Sequence, residues 1–541
     1  MILLKKLSKI FIRLLLSFLF IFPVIQTEAQ QSVQQNQLKF GRLLRLVDGY
    51  YVDSTDVDAL TEKAIVNLLS ALDPHSVYIS KEEVDKMNEP LKGNFEGIGI
   101  SFNIFKDTLL VTTTISGGPS EKVGLRAGDR IVEVDDKKIA GIGLKNSDVF
   151  DMLRGDKGTR VDLKILRKHS KDLLDFTIIR DKIPIFSLDA SYMLDESTGF
   201  IKLNKFSATT NEEFTSALMQ LKQQNLKNLI LDLRGNGGGY LKTAIEISDQ
   251  FLKDKELVVY TSGENEPKRE YKASAKGSFE NGNLVVLIDE NSASASEIVS
   301  GAVQDWDRGI IIGRRSFGKG LVQKPFYLTD GSMVRLTTAH YFTPSGRNIQ
   351  KPYEEGKKEY RQDYVKRMTS GEMFNADSIE FDELQKHKTL VNGRNVFGGG
   401  GVMPDIFIPM DTSSHYLYLN KLRRKNIVNN FVLDYVDTNR EELSTKYPEF
   451  EKFETDFEVS TDMINDIVAR GEKEEIEKNE ESLTFAMNNI KREVKAFIAR
   501  DIFSRNDLYK VYFKDDETIL EAMKVIKNKK EYNNLLVTTE Q

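Results

Sequence analysis

The chain has 541 residues, a formal net charge of −6 and no cysteine. Hydrophobic content of 40% and charged content of 29% are those of a folded soluble chain, long enough for about three or four domains. Disulfides, thiol catalysis, cysteine-ligated metals and a lipidated cysteine are excluded, and without a basic patch nucleic acid is a poor partner.

The first 29 residues stand apart. Lys5, Lys6, Lys9 and Arg13 precede the apolar run 14–25, and Thr27-Glu28-Ala29 offers small residues for cleavage. This is the pattern of a secretory signal peptide; the rival is an uncleaved membrane anchor, disfavoured by Pro23 and the short apolar run. Residues 30–90 are expected to be helical: Leu38, Leu43, Leu44 and Val47 recur at roughly helical spacing, and Asp73-Pro74 marks a turn. They carry no chemistry, so packing or a dimer contact is the default.

Residues 91–180 read as short strands with one helix over 145–155, which fits a small β-barrel. Residues 181–412 alternate apolar strands with amphipathic helices, as in a parallel or mixed α/β sheet. Residues 413–541 are highly charged and helical. Leu483, Met487, Ile490, Val494, Phe497 and Ile498 share one helix face, and the charged run 472–481 reads as a solvated helix face.

The segment 291–306, NSASASEIVSGAVQDW, puts serines at the mouth of a helix directly after the strand 283–290. The first turn of a helix presents unpaired N–H groups and the positive end of the dipole, where an oxyanion can be stabilised. Serines are also common there as simple caps. Downstream, Lys319 lies between Gly318 and Gly320, with Phe317, Leu321 and Val322 nearby. Burial lowers a lysine pKa, and the neutral amine could take the Ser294 proton, with Gln323 orienting it. The rival reading is a surface lysine on a glycine turn.

The segment LDLRGNGGGY, 231–240, runs a buried strand into a glycine loop. No GKS or GKT follows and GxGxxG is absent, so a phosphate cradle is disfavoured against an amide donor near a reacting carbonyl. Asp232 and Arg234 are expected to pair and hold that loop. None of the histidines 75, 169, 340, 387 and 415 sits in a triad motif; His340 alone is retained. No HExxH is present, and Ser316 with Lys319 forms an SxxK match in which Ser316 would be the nucleophile.

Taken together, EGIGISF, GGPSEKVGLRAGDRIVEVD, DLRGNGGG, NSASASEI, RRSFGKGLVQ, TPSGRNIQ and GGGGVMPD make about residues 40–412 resemble the carboxy-terminal processing peptidases, which are Ser-Lys serine endopeptidases with a PDZ domain. The resemblance implies an α+β multidomain chain. A PDZ β-barrel (91–180) is inserted before an α/β protease core of the ClpP/crotonase-like type (181–412), with helical N-terminal (30–90) and C-terminal (413–541) regions. It implies Ser294 as nucleophile, Lys319 as general base, Gln323 as its orienting partner, and the amides of Ala295 and Gly238 as oxyanion hole. The family carries Asn-Pro-Gly-Gly where this chain has Asn236-Gly237-Gly238-Gly239. In the PDZ domain it implies that Gly97, Ile98, Gly99 and Ile100 capture a C-terminal carboxylate. Val149 and Leu153 would line the groove, and Arg154 would link it to the core.

No metal or cofactor is implied. The expected partners are proteins with apolar C-terminal tails, and the expected location is periplasmic or secreted. Membrane association through an uncleaved N-terminal segment stays open, as do a homodimer and an adaptor lipoprotein; for 413–541 a dimer arm, a lid and an adaptor surface stay open. The rival class is an inactive PDZ scaffold delivering clients to another protease, against which Ser294, Lys319 and Gln323 together speak.

Overall fold

The computed structural model describes residues 32–168, 170–379, 383–410 and 417–537; the signal segment, His169 and His415 lie outside the described residues. The chain divides after Tyr78 into two compact units. In the first, a helix over 32–50 precedes the helix Val57–Ser70, which starts where the Asp56 carboxylate accepts the Ala59 amide at 2.9 Å. The expected turn is closed by Asp73, which accepts the His75 and Ser76 amides at 2.7 and 2.8 Å. No described helix is long and apolar enough to cross a membrane.

The second unit opens on the helix Lys81–Lys92, which by sequence falls in the N-terminal helical region. The segment after it forms an antiparallel sheet whose strands Ile100–Phe105, Thr108–Thr114, Arg130–Val134, Arg160–Leu166 and Leu174–Ile179 pair in that order. Leu109, Val111, Ile131, Val161, Leu163 and Ile165 fill its core together with Val149 of the helix Asn146–Leu153.

The segment 181–412 is built on a six-stranded sheet: Leu188–Met193, Thr198–Leu203, Asn228–Asp232, Asn283–Ile288, Ile310–Gly313 and Ile406–Phe407. The first pair is antiparallel and the rest are parallel. Its central strands carry the unbroken apolar runs 229–231, 284–288 and 310–312 because both faces are covered. Leu229, Leu231, Leu284, Val286, Ile288 and Ile311 point to one face, under the helices Thr210–Gln223, Leu241–Asp249 and Ala295–Asp305. Phe200, Ile230, Val285, Leu287, Ile310 and Ile312 point to the other.

That second face is closed by the end of the chain. Ile519, Ala522, Val525 and Ile526 of the helix Glu517–Lys527 pack there with Tyr532, whose hydroxyl donates to Leu284 O at 3.1 Å and accepts its amide at 2.9 Å. The extension therefore has two parts. Helices Leu417–Arg424 to Glu480–Ile502 enclose their own core, including Phe431, Phe453, Ile467, Ile490 and Val494, whereas 517–537 form a layer on the six-stranded sheet; the helix Arg505–Tyr512 joins the two, with Val511 in the first core and Tyr509 against the second. The charged run 472–481 is exposed apart from Ile476 and Gly471 beside it, but it joins two helices instead of lying along one.

A second, antiparallel sheet flanks the first. Its strand Met333–Phe342 pairs with both Leu257–Gly263 and Leu321–Tyr327, and Leu257–Gly263 pairs in turn with Glu266–Lys272.

Candidate active site

The strand Asn283–Ile288 delivers the chain into 289–294, and the helix Ala295–Asp305 leaves it. Between them Ser294 adopts φ 55° and ψ −108°, a region that residues with a Cβ rarely enter and that costs of order 1–3 kcal/mol. Its backbone is held at both ends: the amide donates to Glu297 Oε2 at 2.7 Å, and the carbonyl accepts the Tyr341 hydroxyl at 3.1 Å.

The structure separates the four candidate serines. Ser292 Oγ donates to Leu233 O at 2.9 Å and Ser296 Oγ to Asn236 O at 2.8 Å, so both are buried ties between the Ser294 turn and the segment that carries the glycine loop. Ser316 is also buried; its hydroxyl donates to Glu297 Oε1 at 2.5 Å and accepts the Val402 amide at 2.7 Å. Of the four, Ser294 alone lines the large cavity, of about 500 Å³. Ala295, Ile298, Lys319 and Gln323 share its wall with Gly237, Gly238 and Gly239. Lys319 Nζ donates to Gln323 Oε1 at 2.9 Å. His340 is not on that wall; its ring lies 3.5 Å from Asn348 Nδ2.

Gly238 stands where a Cβ would fall 2.9 Å from Ser294 Cβ and 3.0 Å from Ala295 N, and its φ is +99°. Only glycine tolerates both. Its amide, expected to be an oxyanion donor, is instead taken by Asn236 Oδ1 at 2.9 Å. The cause is local: an Asn side chain readily accepts from the amide two residues on.

Glu297, absent from the sequence-level site, organises the rest. Fully buried, its carboxylate accepts from Ser294 N, Ser316 Oγ, Gly318 N at 2.7 Å and Lys319 N at 2.9 Å. Burial raises its pKa, against the pull of those hydrogen bonds. Its signal is present in the sequence: Ser294-x-x-Glu297 is a capping-box spacing. Tyr341, whose buried hydroxyl is pushed well above its usual range by burial and then by the Glu297 charge, has no such signature. The remaining motifs are supports. Arg347 of TPSGRNIQ pairs with Asp305 at 2.5 Å, both wholly buried, at the far end of the Ser294 helix. Gly401 packs against Ser316, where a Cβ would meet its Oγ at 2.7 Å.

In the upstream sheet domain, Gly97 ends the strand Asn94–Gly97, Ile98 is buried, Gly99 turns with φ +77°, and Ile100 opens the next strand. Val149 and Leu153, expected to line the groove, are packed into the domain core; the half-exposed Phe150 meets the Phe102 ring edge-on, ring centroids 5.6 Å apart. Spacing at i, i+4 puts 149 and 153 on one helix face, and here that face is the inner one. Arg154 pairs with Glu89 at 2.5 Å and lies 4.7 Å over both Phe95 and Phe150. Glu89 belongs to the helix Lys81–Lys92, whose Asn88, Leu91 and Lys92 line the cavity.

An antiparallel sheet domain with one packed helix, in a chain with an α/β core where a strained serine and a lysine line one cavity, fits a PDZ-bearing serine peptidase. The comparisons agree. Peptidase family S41 matches residues 197–356, a PDZ domain matches 110–167, and a family of unknown function matches 418–504. The carboxy-terminal-processing protease of Bartonella bacilliformis is 36% identical over 330 residues, 60% of this chain and 75% of that one. The carboxy-terminal processing protease CtpB of Bacillus subtilis is 34% identical over 318 residues, 58% of this chain and 65% of that one. Among solved structures, the photosystem II D1 C-terminal processing protease is 29% identical, with 58% of this chain and 89% of that one covered and a TM-score of 0.33. The chain belongs to the carboxy-terminal processing protease family, whose members are serine-type peptidases.

Proposed function

We propose that this chain is an exported endopeptidase that holds the apolar C-terminal tail of a protein in its PDZ groove and cleaves peptide bonds at Ser294. The observation that carries this reading is the strained Ser294 on the wall shared with the Lys319–Gln323 pair. We read the core as of the ClpP/crotonase type and the PDZ sheet as a barrel.

Ser294 Oγ attacks the scissile carbonyl while its proton passes to the neutral Lys319 amine, which Gln323 Oε1 orients. The Ala295 amide, at the helix start, donates to the developing oxyanion. Gly238 would add the second donor by exchanging Asn236 Oδ1 for the substrate oxygen. The Lys319 ammonium then gives its proton to the departing amine, leaving an ester on Ser294. Water attacks that ester as Lys319 takes its proton, and the ammonium returns the proton to the departing Ser294 oxygen, which restores both groups. A tail would add as a strand beside Ile100–Phe105, its carboxylate at the loop 97–100. Export would use the segment 1–29.

The test is cleavage of an unfolded protein with an apolar tail by purified Ser294→Ala, Ser316→Ala and Lys319→Ala. The Ser294 and Lys319 variants are expected to be inactive. Normal cleavage by Ser294→Ala would sink the assignment, and a wild-type chain that cleaves no tailed substrate would favour the scaffold reading. A lysine base also predicts a rate that rises with pH and ignores EDTA.

A further inference from the structure

Residues 505–537 lie beyond the three matched segments, yet one of their side chains reaches the root of the glycine loop. Asp516 caps the helix Glu517–Lys527, accepting the Ile519 amide at 3.0 Å. It also turns both carboxylate oxygens to Arg234 Nη1, at 2.9 and 3.0 Å. The other edge of the same guanidinium, Nε and Nη2, donates to the two oxygens of Asp232 at 3.0 and 2.9 Å. Phe513 covers the group, its ring centroid 5.4 Å from Arg234 Cζ. Lys202 completes the charge balance, 3.3 Å from Asp232 and donating to the Arg234 carbonyl at 3.1 Å.

The arrangement follows from strand alternation. Asp232 is in phase with Ile230, whose side chain points to the face covered by the C-terminal layer. An acid there is wholly buried. Burial alone would raise its pKa, but Arg234 and Lys202 hold it at about 2. Arg234 in turn keeps two carboxylates, one from its own strand and one from the extension.

From Arg234 the backbone runs two residues to Asn236. The Asn236 carbonyl accepts the Ala293 amide at 3.0 Å and the Ser296 hydroxyl at 2.8 Å, so it ties to both flanks of Ser294. Gly237, Gly238 and Gly239 follow along the cavity wall. We propose that Asp516 is a positioning residue for catalysis. It holds Arg234, and through it the glycine loop, in register with Ser294, so that the extension is a working part of the active site. This rests on Ser294 being the nucleophile. The other ion pairs between layer and core, Arg505–Asp189 and Lys527–Asp195, engage the antiparallel edge strand Leu188–Met193 and the turn after it, not the loop.

The test uses the full chain and a tailed unfolded protein, with kcat, KM and thermal melting measured for Asp516→Asn, Asp516→Glu, Lys527→Ala and Ser294→Ala. A peptide boronate, which forms a tetrahedral adduct on a serine, is titrated alongside. Asp516→Asn is expected to lower kcat about tenfold with KM within about twofold, and to weaken the boronate in step, as a displaced oxyanion donor should. Lys527→Ala is expected to keep wild-type kcat. Wild-type kcat in a folded Asp516→Asn overturns the proposal, as does an equal loss in Lys527→Ala. If Asp516→Asn does not fold, Asp516→Glu decides: lowered kcat at unchanged KM supports the proposal and wild-type kcat overturns it. Full activity in Ser294→Ala would instead remove the nucleophile reading, and this inference with it.

Discussion

Glu297 joins the Ser294 turn to the Lys319 loop. One carboxylate takes the Ser294 amide with one oxygen and the Lys319 amide with the same oxygen, while the other takes Gly318 N and Ser316 Oγ. Four donors require an ionised acceptor, although burial raises the pKa. The native state therefore binds this proton more readily than the unfolded chain, whose Glu titrates near 4.3. As pH rises from that range through the raised native value, stability falls; as pH falls through the same window, the acceptor is lost and activity with it. Glu297→Gln keeps the shape but offers one acceptor oxygen and turns an NH2 toward donors. We expect kcat to fall about 100-fold, from the loss of about 3 kcal/mol of hydrogen bonding to a charged group, with KM little changed. The rise of rate with pH that Lys319 sets should remain, at the lower kcat. A folded Gln variant with wild-type kcat would contradict this role.

The helix Lys81–Lys92 plays the matching part between elements. Its Glu89 meets Arg154 beside Phe95 and Phe150, and Asn88, Leu91 and Lys92 meet the cavity. The pair is partly exposed, 31% for Arg154 and 24% for Glu89, so it should be worth about 0.5–1 kcal/mol. Glu89→Gln is then expected to raise KM for tailed substrates about two- to fivefold while hydrolysis of a short tail-less ester is unchanged; a change in ester hydrolysis would contradict it. Arg154→Ala also removes two ring contacts and should do more. None of this link was legible beyond Arg154 itself, because Glu89 reads as one acid among several on a polar helix. The parallel strands 283–288 and 310–313 were legible because burial on both faces demands unbroken apolar runs. The strand Glu266–Lys272 was not: its burial pattern is nearly all exposed, and it is a strand because of its partner Leu257–Gly263. Ser294, Lys319 and Gln323 sit in short motifs and could be read directly. The backbone strain at Ser294, the engaged Gly238 amide and the Tyr341 and Asp516 contacts depend on chain brought from elsewhere.

At the scale of the molecule, the helical region 417–502 touches the outer side of the PDZ sheet. Arg130 pairs with Asp437 at 2.7 Å, Lys168 donates to the Asp437 carbonyl at 2.8 Å, and Phe105 and Leu110 cluster with Leu433. The same chain then runs on to become the second layer of the protease core, so one extension braces the groove domain and closes the catalytic sheet. A chain ended at Ser504 should keep the brace at Leu433 and Asp437 and lose the cover of the sheet. Phe200, Ile230, Val285, Leu287, Ile310 and Ile312, each wholly buried, would lose their cover. At about 1.5–3 kcal/mol per large apolar side chain, that exposure is on the order of 10 kcal/mol, against a typical total stability of about 5–15 kcal/mol. The truncated chain is therefore expected to be insoluble or to lack a cooperative melt. Tyr532→Phe, which deletes only the hydroxyl bonded to Leu284, should cost about 1–2 kcal/mol and stay folded and active. A truncated chain that melts cooperatively within a few degrees of the full chain would show that 505–537 is an appendage, and the sheet face beneath it would then need another cover.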